Sequence, residues 1–230
     1  MKQKKIIGLI GGMSFESTAV YYNLINKMYQ EKAGGISSAR LVLSSLDMQE
    51  VADRQQEGNW DKLRSMLCMA ADDLAFRADF LVICTNTMHK LASAVSRSAS
   101  MEVLDIRHVA TAEIHARGFK TVGLLGTRFT MTEAFYRDYL EERGIKVLVP
   151  DEEGIELVDR VIYDELCKGI VKPVSEAGIQ YVIKQMAENG AEAIVLGCTE
   201  LPLLLKQAAV PLLDMTYLHA KAAVEKAING

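Results

Sequence analysis

The segment IGLIG at residues 7–11 returns as VGLLG at residues 122–126, and these two short apolar stretches decide how the chain folds. Each is followed at the same distance by a second matching run, STAVY at 17–21 in the first half and TEAFY at 132–136 in the second. The gap-free match indicates an internal duplication in which both halves carry the same units in the same order.

Apolar runs of strand length alternate with amphipathic, helix-like patterns through both halves. Short uninterrupted apolar strands joined by helices predict parallel sheets that are covered on both faces. The predicted strands lie at 6–10, 41–46, 80–83, 103–104, 121–125, 147–149, 193–196 and 211–213, and the predicted helices near 15–32, 58–76, 88–97, 131–143, 152–168 and 174–188. We therefore predict an α/β fold of two similar domains related by approximate two-fold symmetry, one formed by residues 1–104 plus 212–230 and the other by residues 105–211.

Two predicted strands end in chemically useful residues. The run AIVLGCTELP at 193–202 turns polar directly after its apolar part and carries Cys198 at that point, and the run FLVICTNTMH at 80–89 carries Thr85 at the matching point. Ligands bind parallel sheets at the carboxyl ends of the strands. If the two domains face each other, these ends and the turns at 11–12 and 126–127 converge on one interdomain cleft, which is where we expect the active site.

The composition narrows the class of protein. Of the 230 residues, half are apolar and a quarter charged, and the net charge of -4 with scattered Lys and Arg leaves no basic stripe for nucleic acid. No stretch approaches the ~20 apolar residues of a membrane span. Four widely spaced cysteines without C-x-x-C pairs or nearby histidines favour neither zinc nor disulfides. We expect a reduced, cytoplasmic protein with no metal and no nucleic-acid or membrane partner.

Cys198 is the strongest candidate for catalysis. The polar pair Thr199-Glu200 follows it, and a helix is predicted to begin there. The positive end of a helix dipole would lower the thiol pKa below its ordinary value of ~8.5, so that a thiolate could serve as a base or a nucleophile. The alternative is that Cys198 is a small buried apolar residue.

Other polar residues near the strand ends have two interpretations each. Ser14, Thr127 and Thr130 could bind a small anion such as a carboxylate, or simply cap helices. Arg54, after the second predicted strand, could bind a carboxylate in a two-pronged manner or be an ordinary surface arginine. His89 lies one turn into a predicted helix, where a capping or core role is favoured over catalysis.

These residues together resemble the aspartate/glutamate racemase family, the cofactor-independent amino-acid racemases. The resemblance spans the chain and is carried, in family order, by IGLIGGMS at 7–14 with EST at 16–18, NTMH at 86–89, LGTR at 125–128 with Thr130, and GCTE at 197–200. It implies two pseudo-symmetric α/β domains, a homodimer, no cofactor and an acidic amino acid as substrate. The substrate-binding residues that it implies are Met13, Ser14, Arg54, Asn86, Thr87, Thr127, Thr130 and Thr199.

The chain departs from the family at one decisive position. Racemisation removes the α-proton from one face and delivers a proton to the other, and the family uses one cysteine from each domain for these two steps. Here the first cysteine is replaced by Thr85, and Cys84, one residue earlier in a strand, should face the opposite side of the sheet. The resemblance then implies Cys198 as thiolate base, Thr85 as proton donor or relay on the opposite face, and a preference for L-aspartate or L-glutamate.

Two alternatives to an acidic amino-acid racemase stay open. One is a relative that isomerises or decarboxylates another small dicarboxylate. The other is a non-catalytic amino-acid-binding protein that lost turnover together with the first cysteine. Aspartate and glutamate are not separated, because one methylene contributes only ~1–3 kcal/mol to discrimination in a pocket.

Overall fold

A computed structural model describes residues 4–230, and the chain divides into two compact units. The first contains Met1–Asp105 and His219–Gly230, and the second contains Ile106–Leu218. The sequence indicated a return to the first domain at 212. The return lies at His219 instead, because residues Leu212–Asp214 form a strand that pairs with the strand Ala193–Leu196 of the second unit.

The first unit is built on a three-stranded parallel sheet in the order β2-β1-β3. Its elements are β1 (Ile7–Gly11), α1 (Phe15–Ala33), β2 (Leu41–Ser45), α2 (Met48–Gln56), α3 (Trp60–Ala75), β3 (Phe80–Ile83), a 3-10 helix (Thr87–Leu91) and α4 (Ala92–Ser98). Because all three strands are parallel, their carboxyl ends lie at one edge of the sheet, followed by the turn at 11–12 and by Thr85.

The second unit repeats this plan on a four-stranded parallel sheet in the order β5-β4-β6-β7. Its elements are α5 (Ile106–Ala116), β4 (Thr121–Leu125), α6 (Arg128–Thr132), α7 (Ala134–Glu141), β5 (Lys146–Leu148), α8 (Glu152–Asp164), a 3-10 helix (Leu166–Lys168), α9 (Pro173–Glu188), β6 (Ala193–Leu196), α10 (Leu201–Leu204), β7 (Leu212–Asp214) and α11 (Met215–Asn229), which carries the chain back into the first unit.

Strands β1, β3, β4 and β6 are buried on both faces, as the uninterrupted apolar runs predicted, whereas the edge strands β2 and β5 are partly exposed. In β3, Phe80 and Val82 pack into one hydrophobic cluster, whereas Leu81 and Ile83 pack into the cluster on the other face. The strands of the second unit divide in the same way between two clusters. The two parallel sheets flanked by helices confirm the predicted α/β fold class.

Several element boundaries differ from the prediction for local reasons. Helix α2 was missed, although the Asp47 side chain caps it by accepting from the amides of Gln49 and Glu50. The helix predicted near 131–143 is two helices, because Thr127 caps an earlier start and the backbone at Glu133 is extended. The strand predicted at 103–104 is reduced to a single bridge with Leu81.

Within residues 4–230, the helices are all too short or too polar to cross a membrane.

Candidate active site

The strand end of β1 is a close-packed glycine turn. Gly12 has a positive φ of 83°, and a Cβ at this position would overlap the backbone of Leu46. The Gly12 amide donates to the Thr18 hydroxyl (2.8 Å), and the Thr18 hydroxyl donates to the Ser14 carbonyl (2.7 Å). A glycine is therefore required here, and the turn delivers Ser14 to the start of α1 in a fixed orientation.

The end of β3 separates Cys84 from Thr85. Cys84 is fully buried on the side of the sheet that holds Phe80 and Val82, and burial raises its thiol pKa far above the ordinary value. Thr85 follows the strand and is partly exposed. Cys84 is therefore held in the core as a protonated thiol, whereas Thr85 is the neighbour that is accessible.

Asn86 has an unusual environment for a buried amide. Its side chain is 2 % exposed, and neither Oδ1 nor Nδ2 has a hydrogen-bond partner among residues 4–230. Leaving a buried amide unsatisfied costs about 1–3 kcal/mol per group, so such a side chain needs a reason to be there. A polar ligand at the end of β3 would supply the missing partners.

The remaining candidates in the first unit differ in how they could contact a ligand. The Met13 side chain packs into the core, which leaves its backbone as the part able to bind. The Ser14 hydroxyl caps α1 by accepting from the Ser17 amide (3.2 Å), and Thr87 is buried in the 3-10 helix that follows Asn86. Arg54 lies on α2, where its Nη1 bonds both carboxylate oxygens of Glu57 (2.8 and 3.0 Å). A substrate carboxylate would have to compete with that ion pair.

In the second unit, two glycine turns bring the strand ends of β4 and β6 together. The Gly197 amide donates to the Leu125 carbonyl (2.6 Å), and the Thr130 side chain packs closely against Gly126 and Gly197. Thr127 caps α6 by accepting from the Thr130 amide (3.4 Å), and the two threonine hydroxyls lie 3.3 Å apart. Thr127 and Thr130 at the start of α6 thus lie close to the Gly197 turn that leads to Cys198.

Cys198 lies beside a buried carboxylate. Its Sγ donates to Oε2 of Glu200 (3.0 Å), and the same oxygen accepts from the Thr199 hydroxyl (2.6 Å). Cys198 and Glu200 are 7 % and 6 % exposed. The thiol proton therefore has a defined acceptor two residues along the chain.

The prediction of a lowered thiol pKa is wrong. Burial raises the pKa of Cys198 well above its ordinary value, and the negative charge of Glu200 raises it further. The helix expected after Cys198 is α10, which has only four residues and begins after Glu200. A backbone hydrogen bond from Glu200 acts in the opposite direction, but burial and the carboxylate outweigh it, so in the resting protein Cys198 is a protonated thiol.

Sequence reasoning assigned no role to Glu200, although it stands within the GCTE motif. Glu200 could have been recognised as an acidic residue two positions after a strand-end cysteine, because a turn can fold such a side chain back onto the sulfur. Two further groups belong to this environment. Burial raises the pKa of Cys167 to about 12 and raises the pKa of Tyr163, and the charge of Glu200 acts on both.

The described part of the chain contains no group of metal-ligating side chains. Across residues 4–230, no three His, Cys, Asp or Glu side chains are grouped as a metal site would require. The polar groups found at the strand ends are the thiol, carboxylate, hydroxyl and amide groups described above.

The fold and the strand-end residues define a class of protein, the α/β proteins built from two units with parallel sheets. A crystal structure of a candidate Asp/Glu racemase from Yersinia pestis is 42% identical with a TM-score of 0.91, covering 97% of this chain and 99% of that one. An aspartate racemase homologue from Pyrococcus horikoshii OT3 is 34% identical with a TM-score of 0.85, covering 99% and 100%. The aspartate racemase of Picrophilus torridus shares the fold, at 22% identity and a TM-score of 0.72 over 97% and 94%.

The family model described as Asp/Glu/Hydantoin racemase matches residues 10–223, which is nearly the whole chain. The chain belongs to this family. Its enzyme class is accordingly that of the amino-acid racemases, which are isomerases.

Proposed function

We propose that this protein racemises an acidic amino acid, aspartate or glutamate or both, without pyridoxal phosphate. Cys198 removes the α-proton of the L-enantiomer, and Thr85 acts on the opposite face of the substrate. The observation that carries the proposal is the buried Cys198 thiol at the end of β6, with its proton directed at the Glu200 carboxylate. Family membership and the similarity to the aspartate racemase homologue of Pyrococcus horikoshii support the substrate class.

The proposed first step uses the thiol and the carboxylate as one base. The substrate Cα–H bond breaks, its proton moves to the Cys198 sulfur, and the electron pair delocalises into the substrate carboxylate. The proton that was on the sulfur passes to Glu200 Oε2, so charge is conserved and no free thiolate is needed beforehand. This route is compatible with the raised thiol pKa.

In the second step, the Thr85 hydroxyl delivers a proton to the opposite face of Cα, and solvent restores that proton. The negative charge that develops on the substrate needs fixed donors, since there is no cofactor to delocalise it. The Asn86 amide and the hydroxyls of Ser14, Thr127 and Thr130 are the donors that we propose. Met13, Thr87, Thr199 and Arg54 complete the proposed binding set.

A preference for the L-enantiomer should be visible in the rate of α-proton exchange and not in the rate of net inversion. The two enantiomers have equal free energies in solution, so kcat/KM for net inversion must be the same in both directions. A good base on one face and a poor one on the other instead produces fast α-proton exchange from L-substrate with return to the same face. D-substrate would exchange slowly, because a threonine hydroxyl is a weak base at neutral pH.

The direct test of the proposal is a racemisation assay with the purified protein and no added cofactor. We expect L-aspartate or L-glutamate to lose optical activity, followed by circular dichroism, and the loss to require Cys198. Binding of an acidic amino acid in calorimetry without any α-proton exchange would instead favour an amino-acid-binding protein. Release of carbon dioxide from another small dicarboxylate would favour a decarboxylase.

Replacement of Asn86 with leucine should separate stability from substrate binding. Leucine fills a similar volume and removes two unsatisfied buried groups, so the melting temperature should stay the same or rise. Loss of the amide should raise KM by roughly 10- to 100-fold, the equivalent of the ~1–3 kcal/mol lost with a buried hydrogen bond to a charged ligand. Thermal unfolding and steady-state kinetics measure the two effects.

Asn86→Asp is the matched control, since it keeps the size but places a negative charge where a substrate carboxylate should bind. It should weaken binding more than leucine does. A lower melting temperature for Asn86→Leu with an unchanged KM would assign Asn86 to folding and remove it from the binding set.

Replacement of Glu200 with glutamine should change the pH dependence of exchange. Without the carboxylate, Cys198 must ionise to act as a base, and burial keeps its pKa high. At pH 7, the variant should exchange the α-proton of L-substrate about 10²-fold more slowly than the wild type. Above pH 7, the exchange rate of the variant should rise about tenfold for each pH unit. The wild type, whose thiol and carboxylate share one proton, should show a flat profile near neutrality.

Glu200→Asp keeps the charge and shortens the reach, and it should retain the flat profile at a lower rate. If Glu200→Gln keeps both the wild-type rate and the wild-type profile, Glu200 takes no part in proton transfer.

We further propose that the protein acts as a homodimer in the cytoplasm. The dimer is supported by the family resemblance. The compartment is supported by the four cysteines, which are all present as free thiols. Light scattering of the purified protein tests the first of these points.

A further inference from the structure

A chain of buried polar rings lies beneath Thr85 in the first unit. Tyr21 on α1, His89 in the 3-10 helix and His219 on α11 are each fully buried, although each side chain carries a polar group. None of the three belongs to the proposed substrate-binding set. Their contacts connect the end of β3 to two other elements of the unit.

Carbonyl acceptors fix the protonation of both histidines. His219 Nε2 lies 2.8 Å from the Leu104 carbonyl and must carry a proton, so its Nδ1 accepts from the Tyr21 hydroxyl at 2.9 Å. His89 Nδ1 lies 2.8 Å from the Thr85 carbonyl and therefore carries the proton on that nitrogen. The two histidines thus donate through different ring nitrogens, Nδ1 in His89 and Nε2 in His219.

The histidine rings also orient each other. Their centroids are 5.5 Å apart at an interplanar angle of 66°, and Tyr21 meets His219 edge-on at 5.7 Å. Burial, together with the neighbouring His89, lowers the pKa of His219 to about 3, so the ring is neutral across the working pH range. The His89 ring therefore packs against a neighbour with a fixed tautomer.

Side chains hold two successive carbonyls at the end of β3. The Ser17 hydroxyl donates to the Cys84 carbonyl (3.0 Å), and the His89 ring donates to the Thr85 carbonyl. The peptide plane between Thr85 and Asn86 contains the second of these carbonyls. The hydrogen bond from His89 restrains ψ of Thr85, and therefore the orientation of the Thr85 side chain relative to the 3-10 helix that carries His89.

We propose that His89 is a positioning residue, which sets the Thr85 hydroxyl for the half-reaction on the Thr85 face, with His219 and Tyr21 orienting its ring. This inference rests on the proposed function. It assigns His89 no contact with substrate. Because Cys198 is carried by the second unit's sheet, loss of the His89 hydrogen bond should affect one half-reaction and leave the other.

The test uses two rates measured in one sample in deuterated water, α-proton exchange from L-aspartate or L-glutamate and inversion to the D form. His89→Gln and His89→Asn form a matched pair of similar polarity, because the asparagine amide can occupy the place of Nδ1 whereas the glutamine amide reaches the place of Nε2. His89→Gln should reduce the ratio of inversion to exchange by about 10- to 100-fold, and His89→Asn should restore most of it.

A purely structural role would lower both rates together and leave their ratio unchanged, and that result would overturn the inference while the wild type remained an active racemase. Absence of both rates in the wild type would overturn the proposed function as well. A readout independent of activity is the ¹⁵N spectrum of the histidine rings. We expect the proton on Nδ1 for His89 and on Nε2 for His219, and the opposite tautomer at His89 would contradict the proposal.

Discussion

Cys198→Ala should lose α-proton exchange from L-aspartate and L-glutamate by about 10²- to 10⁴-fold, the usual contribution of a positioned acid–base group. The methyl side chain accepts no proton, and it also leaves the Glu200 carboxylate without the thiol that bonds it. Binding should survive, because the proposed carboxylate-binding groups are untouched. Exchange followed by proton NMR and binding followed by calorimetry separate the two effects.

Cys84→Ala is the matched control for this variant. Cys84 is equally buried but faces the core, and its thiol pKa is raised by burial alone. We expect a stability loss on the order of 1 kcal/mol from the small cavity and no change in the exchange rate. If Cys84→Ala removes exchange and Cys198→Ala does not, the assignment of the base is wrong.

The second large effect is expected from Thr85→Cys, which should create a base on the face that lacks one. A thiol with a pKa near 8.5 is several per cent ionised at neutral pH, whereas a threonine hydroxyl is not measurably ionised. Exchange from D-aspartate or D-glutamate should increase by about 10²-fold or more. Exchange from the L-enantiomers should change little, because that step belongs to Cys198 in the second unit.

Two companion variants sharpen this test. Thr85→Ser keeps a hydroxyl and should keep the wild-type preference for the L-enantiomer. Thr85→Val keeps the shape without the hydroxyl, so inversion should fall while L-exchange persists. Equal loss of L-exchange and inversion in Thr85→Val would show that Thr85 serves binding or folding instead of proton delivery.

Much of the fold could be predicted because its strands are apolar on both faces. The matched segments at 7–11 and 122–126 gave the duplication, and the two-residue period of a strand separated the buried Cys84 from Thr85. Helix α2 is short and largely polar, with only Val51 and Gln55 buried, and it begins at the Asp47 cap, which explains why the apolar pattern missed it. The break at Glu133 depends on two competing helix starts, which an apolar pattern also does not report.

The chemistry of the site was less predictable than its location. The position of Cys198 follows from the end of an apolar strand, but its pKa depends on which way a turn directs the Glu200 side chain. The sequence favoured a helix dipole, whereas the structure has a carboxylate 3.0 Å from the sulfur. The Arg54 ion pair with Glu57 and the unsatisfied Asn86 amide likewise depend on tertiary packing.

The central claim is that one face of the substrate is served by a good base and the other by a poor one. Initial rates of α-proton exchange from the L- and D-enantiomers of aspartate and glutamate, measured by NMR in deuterated water, test it most directly. The account predicts rapid exchange from an L-enantiomer and exchange from its D-enantiomer slower by about 10²-fold or more. Comparable initial rates from both enantiomers would contradict it.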